Sequence, residues 1–115
     1  MSPDAPTPPA AGIEDRLRPE TLPRLALFLS GYLHEDLAVV HGSAAKAAWE
    51  YAGEAEIDEL GELAGDWQVL AAAARALPLE RVNALLRERF GSSWQAASLV
   101  EIDAVSDTLE RALVE

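Results

Sequence analysis

The sequence predicts an all-α fold, a compact bundle of about five helices in one domain over residues 16–115, after a disordered, proline-rich tail at residues 1–15. Three observations support this prediction. Apolar residues recur every three or four positions along most of the chain, which is the spacing of a helix face. Residues typical of helix starts and stops separate these stripes. No segment alternates apolar and polar residues with the β-branched enrichment of strands.

The length and composition restrict the class of protein. The chain has 115 residues, which suits one domain, and it has no cysteine, which excludes disulfides, a thiol nucleophile and cysteine zinc ligands. Its formal net charge is −11, so we expect no nucleic-acid partner, because phosphate binding requires clustered Lys and Arg. We expect no membrane span, because every apolar run is short, and no secretory signal, because the N-terminal residues lack an apolar core.

Proline placement predicts the tail and the start of the first helix. Prolines remove backbone donors from the tail at Pro3, Pro6, Pro8 and Pro9. The first helix is predicted to begin near Thr21, which would cap it, with Pro23 in the first turn. Its apolar stripe consists of Leu22, Leu25, Phe28, Leu29 and Tyr32.

Ser43 is predicted to cap the second helix, which is rich in alanine. One face of this helix carries Ala44, Ala47, Ala48 and Tyr51, with Trp49 beside it. Small alanines permit close approach of a neighbouring helix, and the aromatic rings supply most of the apolar area.

The third helix is the longest and is predicted over residues 57–77. Its core stripe consists of Ile57, Leu60, Ala64, Trp67, Ala71 and Ala74, with Leu63, Leu70 and Leu77 on the adjacent edge. Asp58, Glu62 and Asp66 follow one another at four-residue spacing and are predicted to face away from the core.

Two further helices complete the predicted bundle. Pro78 starts the first of them and Gly91 ends it. A loop over residues 91–97 holds Trp94, and Ser98 with Glu101 then forms a capping box. The apolar stripes of the two helices are Leu79, Val82, Leu85, Leu86 and Phe90, then Ile102, Val105, Leu109, Ala112 and Leu113.

The negative charge is concentrated in one quarter of the chain. Residues 47–74 hold seven acids and no base, whereas ordinary solvated helices mix the two signs. Such a patch steers a basic partner, although a solvated helix face remains the alternative. The acids predicted to bind a partner are Glu54, Glu56, Asp58, Glu59, Glu62 and Asp66.

The three tryptophans have different predicted roles. Trp67 lies on the long stripe and is predicted to be core. Trp49 lies at the edge of the alanine face and Trp94 lies in a loop. Core packing is the default role for both, and both are also candidate anchors for a partner, because Trp is enriched at interface hot spots.

One titratable cluster, formed by His34, Glu35, Asp36 and His41, is the place to look for a metal or for catalysis. Its spacing matches no metal-binding template, and no serine lies in a nucleophile elbow. We therefore expect no catalytic residue, no metal and no cofactor, and we predict a structural role for the cluster.

The residues Leu25-x-x-Phe28-Leu29-x-Gly31-Tyr32-Leu33-His34-Glu35-Asp36-Leu37 form a pattern of their own. It resembles the segment L-x-x-F-L-x-x-Y-F-H-x-D-W of one group of immunity proteins from bacterial contact-dependent growth inhibition systems. The similarity extends over residues 22–113, and its most specific part is Tyr32, His34 and Asp36, to which we assign a structural role. Leu37 departs from the group, which has an aromatic residue there.

The resemblance implies a cytoplasmic antitoxin without enzymatic activity. Such a protein binds the C-terminal domain of its cognate toxin, and a nuclease with a basic surface is one toxin that an acidic helix face would suit. We expect the free chain to be a monomer. The alternative is a helical adaptor or oligomerising module whose partner is not a toxin.

Overall fold

The computed structural model describes residues 9–33 and 43–114, which form six α-helices and contain no strand. The prediction of an all-α bundle is therefore confirmed. The helices are α1 (Pro9–Arg16), α2 (Pro23–Gly31), α3 (Ala44–Glu54), α4 (Ile57–Ala76), α5 (Leu79–Phe90) and α6 (Leu99–Val114).

Helix α4 is the centre of the bundle. It contacts α1, α2, α5 and α6, and α6 in turn packs along α3. Its twenty residues span several turns, so different neighbours cover different parts of its length. The residues that α4 buries are Leu60, Leu63, Trp67, Leu70, Ala73 and Ala74.

Trp67 connects three parts of the chain inside the core. The side chain is fully buried, and its ring centroid lies 5.9 Å from that of Phe28 on α2 and 6.1 Å from that of Trp94. Its Nε1–H donates a hydrogen bond to the carbonyl oxygen of Ile102 at 3.0 Å. The predicted core position of Trp67 is confirmed.

The predicted boundary of the tail was wrong. Helix α1 falls largely inside residues 1–15, and it docks on the rest of the fold through Ile13, which packs against the core, and through polar contacts to α5. Arg81 of α5 holds the carboxylate of Glu14 by two hydrogen bonds, at 2.9 and 3.2 Å, and Arg89 donates to the Glu14 carbonyl oxygen. Leu17, directly after α1, is fully buried. Residues 1–8 lie outside the described residues.

The predicted helix starts and stops agree with the structure in most places. The Oγ of Ser43 accepts a hydrogen bond from the backbone N–H of Lys46 at 3.1 Å, so Ser43 is the N-cap of α3. Gly91 ends α5 in the left-handed conformation, with φ of 65°. At the start of α6, however, Glu101 accepts from the backbone N–H of Ala97 at 2.8 Å, one residue before the expected Ser98.

Two local predictions about α2 and α4 were wrong. The N-cap of α2 is Leu22 instead of Thr21, and it provides no side-chain cap. Ile57 is 62% exposed, so the buried face of α4 begins one turn later, at Leu60. Two adjacent apolar stripes run along this helix, and the one with the larger side chains, including Leu63 and Leu70, faces the core most closely.

Candidate partner-binding surface

The acidic residues predicted to bind a partner lie around the turn from α3 to α4. We call Glu54, Glu56, Asp58, Glu59 and Glu62 the acidic junction. Four of them are exposed and Glu59 is half-buried. The backbone N–H of Glu56 donates to Oε1 of Glu59 at 3.1 Å, so Glu59 also stabilises the first turn of α4.

Asp66 is not part of this surface, contrary to prediction. Its Oδ2 accepts hydrogen bonds from the backbone N–H groups of Arg24 and Leu25, at 3.0 and 3.1 Å. These groups belong to the first turn of α2, where helical partners are absent and Leu22 supplies none. Burial raises the pKa of the Asp66 carboxyl, and the two backbone hydrogen bonds oppose that rise. Asp66 therefore caps a neighbouring helix instead of facing solvent.

Arg24 changes the charge of the acidic junction. Its Nε donates to Oε1 of Glu62 at 2.6 Å, and its Nη1 lies 3.5 Å from Oε2 of Glu59. Among the ion pairs of the described residues, this is the base that reaches the segment 47–74. Within the acidic junction, this one positive charge stands against the five negative charges of its carboxylates. The segment is thus less anionic than its own sequence suggests, but it stays strongly acidic.

A groove lies beside the acidic junction, where α2, α3 and α4 converge. We call it the tyrosine groove; its volume is about 180 Å³, and its lining includes Arg24, Leu27, Tyr32, Tyr51, Glu54 and Glu59. The two tyrosine rings stand edge to face, with centroids 5.4 Å apart. Leu27 is 60% exposed at its rim.

The pKa values of Tyr32 and Tyr51 are both raised, chiefly by a hydrogen bond at Tyr32 and by burial at Tyr51. The Tyr32 hydroxyl donates a hydrogen bond to Oε1 of Glu54, and this bond, together with burial and the carboxylate charge, raises the pKa of Tyr32 to about 12. Burial raises the pKa of Tyr51; the charge of Arg24 opposes this rise, and the carboxylates of Glu59 and Glu62 add to it. Tyr32, the described member of the resemblance motif, thus ties the end of α2 to α3.

The ionisation of Tyr32 should make the fold lose stability in alkali. Because the folded state keeps the phenol protonated up to a pKa of about 12, the unfolded chain releases this proton at lower pH. The contribution of protonated Tyr32 to the free energy of unfolding is present below pH 10 and is lost as the pH rises from 10 to about 12. Absorbance titration of tyrosinate checks this. Glu54→Phe, which removes the acceptor, should lower the higher of the two tyrosine midpoints, and an unchanged midpoint would contradict the assignment.

The two candidate tryptophan anchors differ in the structure. Trp94 is 7% exposed and packs against Trp67, so it has the default core-packing role and is not an exposed anchor. Its loop is held inward because Ser92 Oγ accepts from the Trp94 backbone N–H and donates to the Trp94 carbonyl oxygen, both at 3.1 Å. Trp49 is 49% exposed and lines a shallow cleft of about 210 Å³ together with Ala52 and Ala112. Trp49 therefore remains a candidate anchor.

The titratable cluster of the sequence prediction lies outside the described residues. This applies to His34, Glu35, Asp36 and His41, and therefore to two members of the resemblance motif. Within residues 9–33 and 43–114, no group of three or more His, Asp or Glu side chains is placed to hold a metal ion. Of the helices described, none has the length and apolarity needed to cross a membrane.

Sequence reasoning missed the residues that build the groove wall on α2. Arg24 lies 38 residues before its partner Glu62, and no local pattern links them. Leu27 gave one usable signal, because it is a large apolar residue that falls off the stripe of Leu25, Phe28 and Leu29. Tyr51 was assigned to the alanine face, and its second role appears only when α2 packs against α3.

Comparison of the chain with protein-family models, with curated proteins and with solved structures found no match.

Proposed function

We propose that this chain is an immunity protein that binds and neutralises the toxin domain of a contact-dependent growth inhibition system. The observation that carries the proposal is the acidic junction. Its carboxylates gather at one turn of the bundle, and Arg24 is their counter-charge among the described ion pairs. The motif around Tyr32 adds the resemblance to such immunity proteins. The protein acts in the cytoplasm of the cell that makes it and performs no reaction itself.

An acidic surface suits this role because neutralisation requires fast association with the toxin and occlusion of its substrate-binding surface. Complementary charge accelerates the encounter with a basic partner. A toxin that cleaves nucleic acid carries a basic surface for phosphate, and the acidic junction would occupy that surface and block the substrate. Binding of this kind is stoichiometric, with one immunity protein per toxin domain.

An exposed apolar side chain, Ile57, lies within the acidic junction. Ile57 stands between Glu56 and Asp58 and is 62% exposed. Stable interfaces combine an apolar centre with a polar rim. Ile57 therefore supplies burial to a complex, and the flanking carboxylates supply orientation.

Co-expression with the toxin domain encoded beside this gene tests the proposal. In a susceptible host, the wild-type chain should restore growth and should elute with the toxin domain as a one-to-one complex. Loss of growth despite soluble chain would contradict the proposal. Loss of growth together with self-association of the purified chain would instead support an oligomerising module.

Charge reversal at Asp58 should weaken the complex selectively. Asp58→Lys is expected to slow association with the toxin domain about tenfold at low salt and less at high salt, because it removes charge from the docking face. Stopped-flow association at several salt concentrations measures the effect. Glu80→Lys is the matched control, because Glu80 is also an exposed acid at the second position of a helix and its reversal changes the net charge equally. Equal slowing by both variants would remove the acidic junction from the mechanism.

A further inference from the structure

The tyrosine groove combines an aromatic wall with carboxylates at its rim. Tyr32 and Tyr51 stand with ring centroids 5.4 Å apart, and Glu54 and Glu59 line the same groove. Aromatic faces attract cations, and the attraction grows when carboxylates stand beside the ring. The described lining of the shallow cleft beside Trp49, which includes Ala52, Gly53 and Ala112, holds no such combination.

The groove keeps a negative surplus after its internal contacts are counted. Among the described residues, the lining of the groove carries one positive charge, Arg24, and two negative charges, Glu54 and Glu59. Glu54 also retains acceptor capacity. The Tyr32 hydroxyl uses its Oε1, and an ionised carboxylate offers about four acceptor sites on two oxygens.

The size of the groove matches a side chain better than a free metabolite. Its volume is about 180 Å³, below the roughly 300–1,000 Å³ of small-molecule pockets. Leu27 extends the wall and is 60% exposed, so an aliphatic stem that enters the groove buries apolar surface against it. The occupant should therefore be long, partly apolar and positively charged at its end.

We infer that the tyrosine groove binds one arginine side chain of the partner protein, with the guanidinium against the Tyr51 ring and hydrogen-bonded to the carboxylate of Glu54. This inference rests on the proposed function, because it takes the partner to be basic. Arginine fits better than lysine because its planar group stacks on aromatic rings and donates two parallel hydrogen bonds to a carboxylate. Arginine is also among the residues most enriched at interface hot spots.

A peptide titration tests the inference without any toxin. The probe is a blocked five-residue glycine peptide with one central arginine, added to the full chain labelled with ¹⁵N. Saturable shifts are expected at the backbone amides of Leu27, Tyr51 and Ala55. The matched lysine peptide should bind about three-fold more weakly, and a citrulline peptide, neutral but of the same shape, should not saturate. Equal binding of arginine and lysine peptides, or shifts spread over all acidic residues, would overturn the inference.

Two variants locate the binding in the groove. Glu54→Gln keeps an acceptor for the Tyr32 hydroxyl and should weaken arginine binding about five-fold. Leu27→Ala alters an exposed side chain, so it leaves the fold intact, and it should weaken binding about two-fold. Glu88→Gln, the same change at an exposed residue of α5, is the control and should have no effect. Unchanged binding in both groove variants would overturn the inference.

The peptide result and the growth result separate the two proposals. If the chain rescues growth but does not bind the arginine peptide, the proposed function is supported and the arginine site is contradicted. A chain that binds the peptide in the groove but fails to rescue growth keeps the site, and its partner is then a basic protein other than the toxin.

Discussion

Replacing Trp67 with alanine is expected to lower the free energy of unfolding by about 3–5 kcal/mol. The side chain is fully buried and meets Phe28 and Trp94 edge to face or tilted, so its removal leaves a cavity at the centre of α4. The hydrogen bond from its Nε1 to the Ile102 carbonyl is lost as well. Urea unfolding followed by circular dichroism measures the effect. Because a single domain of this size has a stability of roughly 5–15 kcal/mol, the variant should be close to unfolding at physiological temperature.

Trp49→Ala is the matched control for this prediction. Trp49 is 49% exposed, and its loss should change the free energy of unfolding by no more than about 1 kcal/mol. The loss of free energy of unfolding in Trp67→Phe should lie between those of the two alanine variants, because phenylalanine keeps most of the apolar volume but loses the hydrogen bond. Similar destabilisation by the two alanine variants would contradict the placement of Trp67 at the centre of the core.

Replacing Asp66 with alanine is expected to lower the free energy of unfolding by about 2 kcal/mol. The change leaves the backbone N–H groups of Arg24 and Leu25 without their acceptor at the start of α2. The N-cap residue Leu22 cannot replace the lost carboxylate, because a leucine side chain has no hydrogen-bond acceptor. Urea unfolding measures the loss, and amide hydrogen exchange should show that the first turn of α2 opens more often.

Two variants make the Asp66 prediction specific. Asp66→Asn retains a neutral acceptor, and because burial raises the pKa of Asp66, the loss of charge should cost little, so we expect less than half of the alanine effect. Asp58→Ala removes an exposed acid from the first turn of the same helix and should change stability by about 0.5 kcal/mol or less. An alanine effect at Asp66 as small as that at Asp58 would show that the cap contributes nothing.

These contacts divide the acidic segment into two roles. Asp66 and Glu62 hold the start of α2 through backbone N–H groups and Arg24. By fixing α2, they place Leu27 and Tyr32 beside Tyr51 and so form the groove. Asp58 makes no such contact among the described residues and stays exposed. We therefore expect variants of Asp66 to act mainly on stability, and variants of Asp58 mainly on partner association.

The fold class and most of the core could be predicted because both depend on local spacing. An apolar residue every three or four positions produces one helix face whatever lies against it. The caps at Ser43 and Gly91 are local in the same sense, since each satisfies backbone groups within a few residues. The start of the fold was misplaced because α1 is held by Arg81, 67 residues away from Glu14.

The candidate site was predicted only in outline. The sequence located the negative charge between residues 47 and 74, and it singled out Trp49, which is half-exposed. It also assigned Trp94 to a loop, but a loop residue can still turn its ring into the core, as the contact with Trp67 shows. The sequence therefore indicated the sign of the surface and five of its carboxylates, but not that Asp66 and Trp94 lie outside it.

By itself, the sequence determined an all-helical chain, a long central helix with Trp67 in its buried face, and an acidic quarter. The tertiary structure alone decided which carboxylates meet solvent. Asp66 caps Arg24 and Leu25, which lie 42 and 41 positions earlier in the chain. Arg24 also pairs with Glu62, which lies 38 positions after it. The physical reason is that helix periodicity specifies neighbours three or four residues apart, whereas the partner of a charged side chain depends on how whole helices pack.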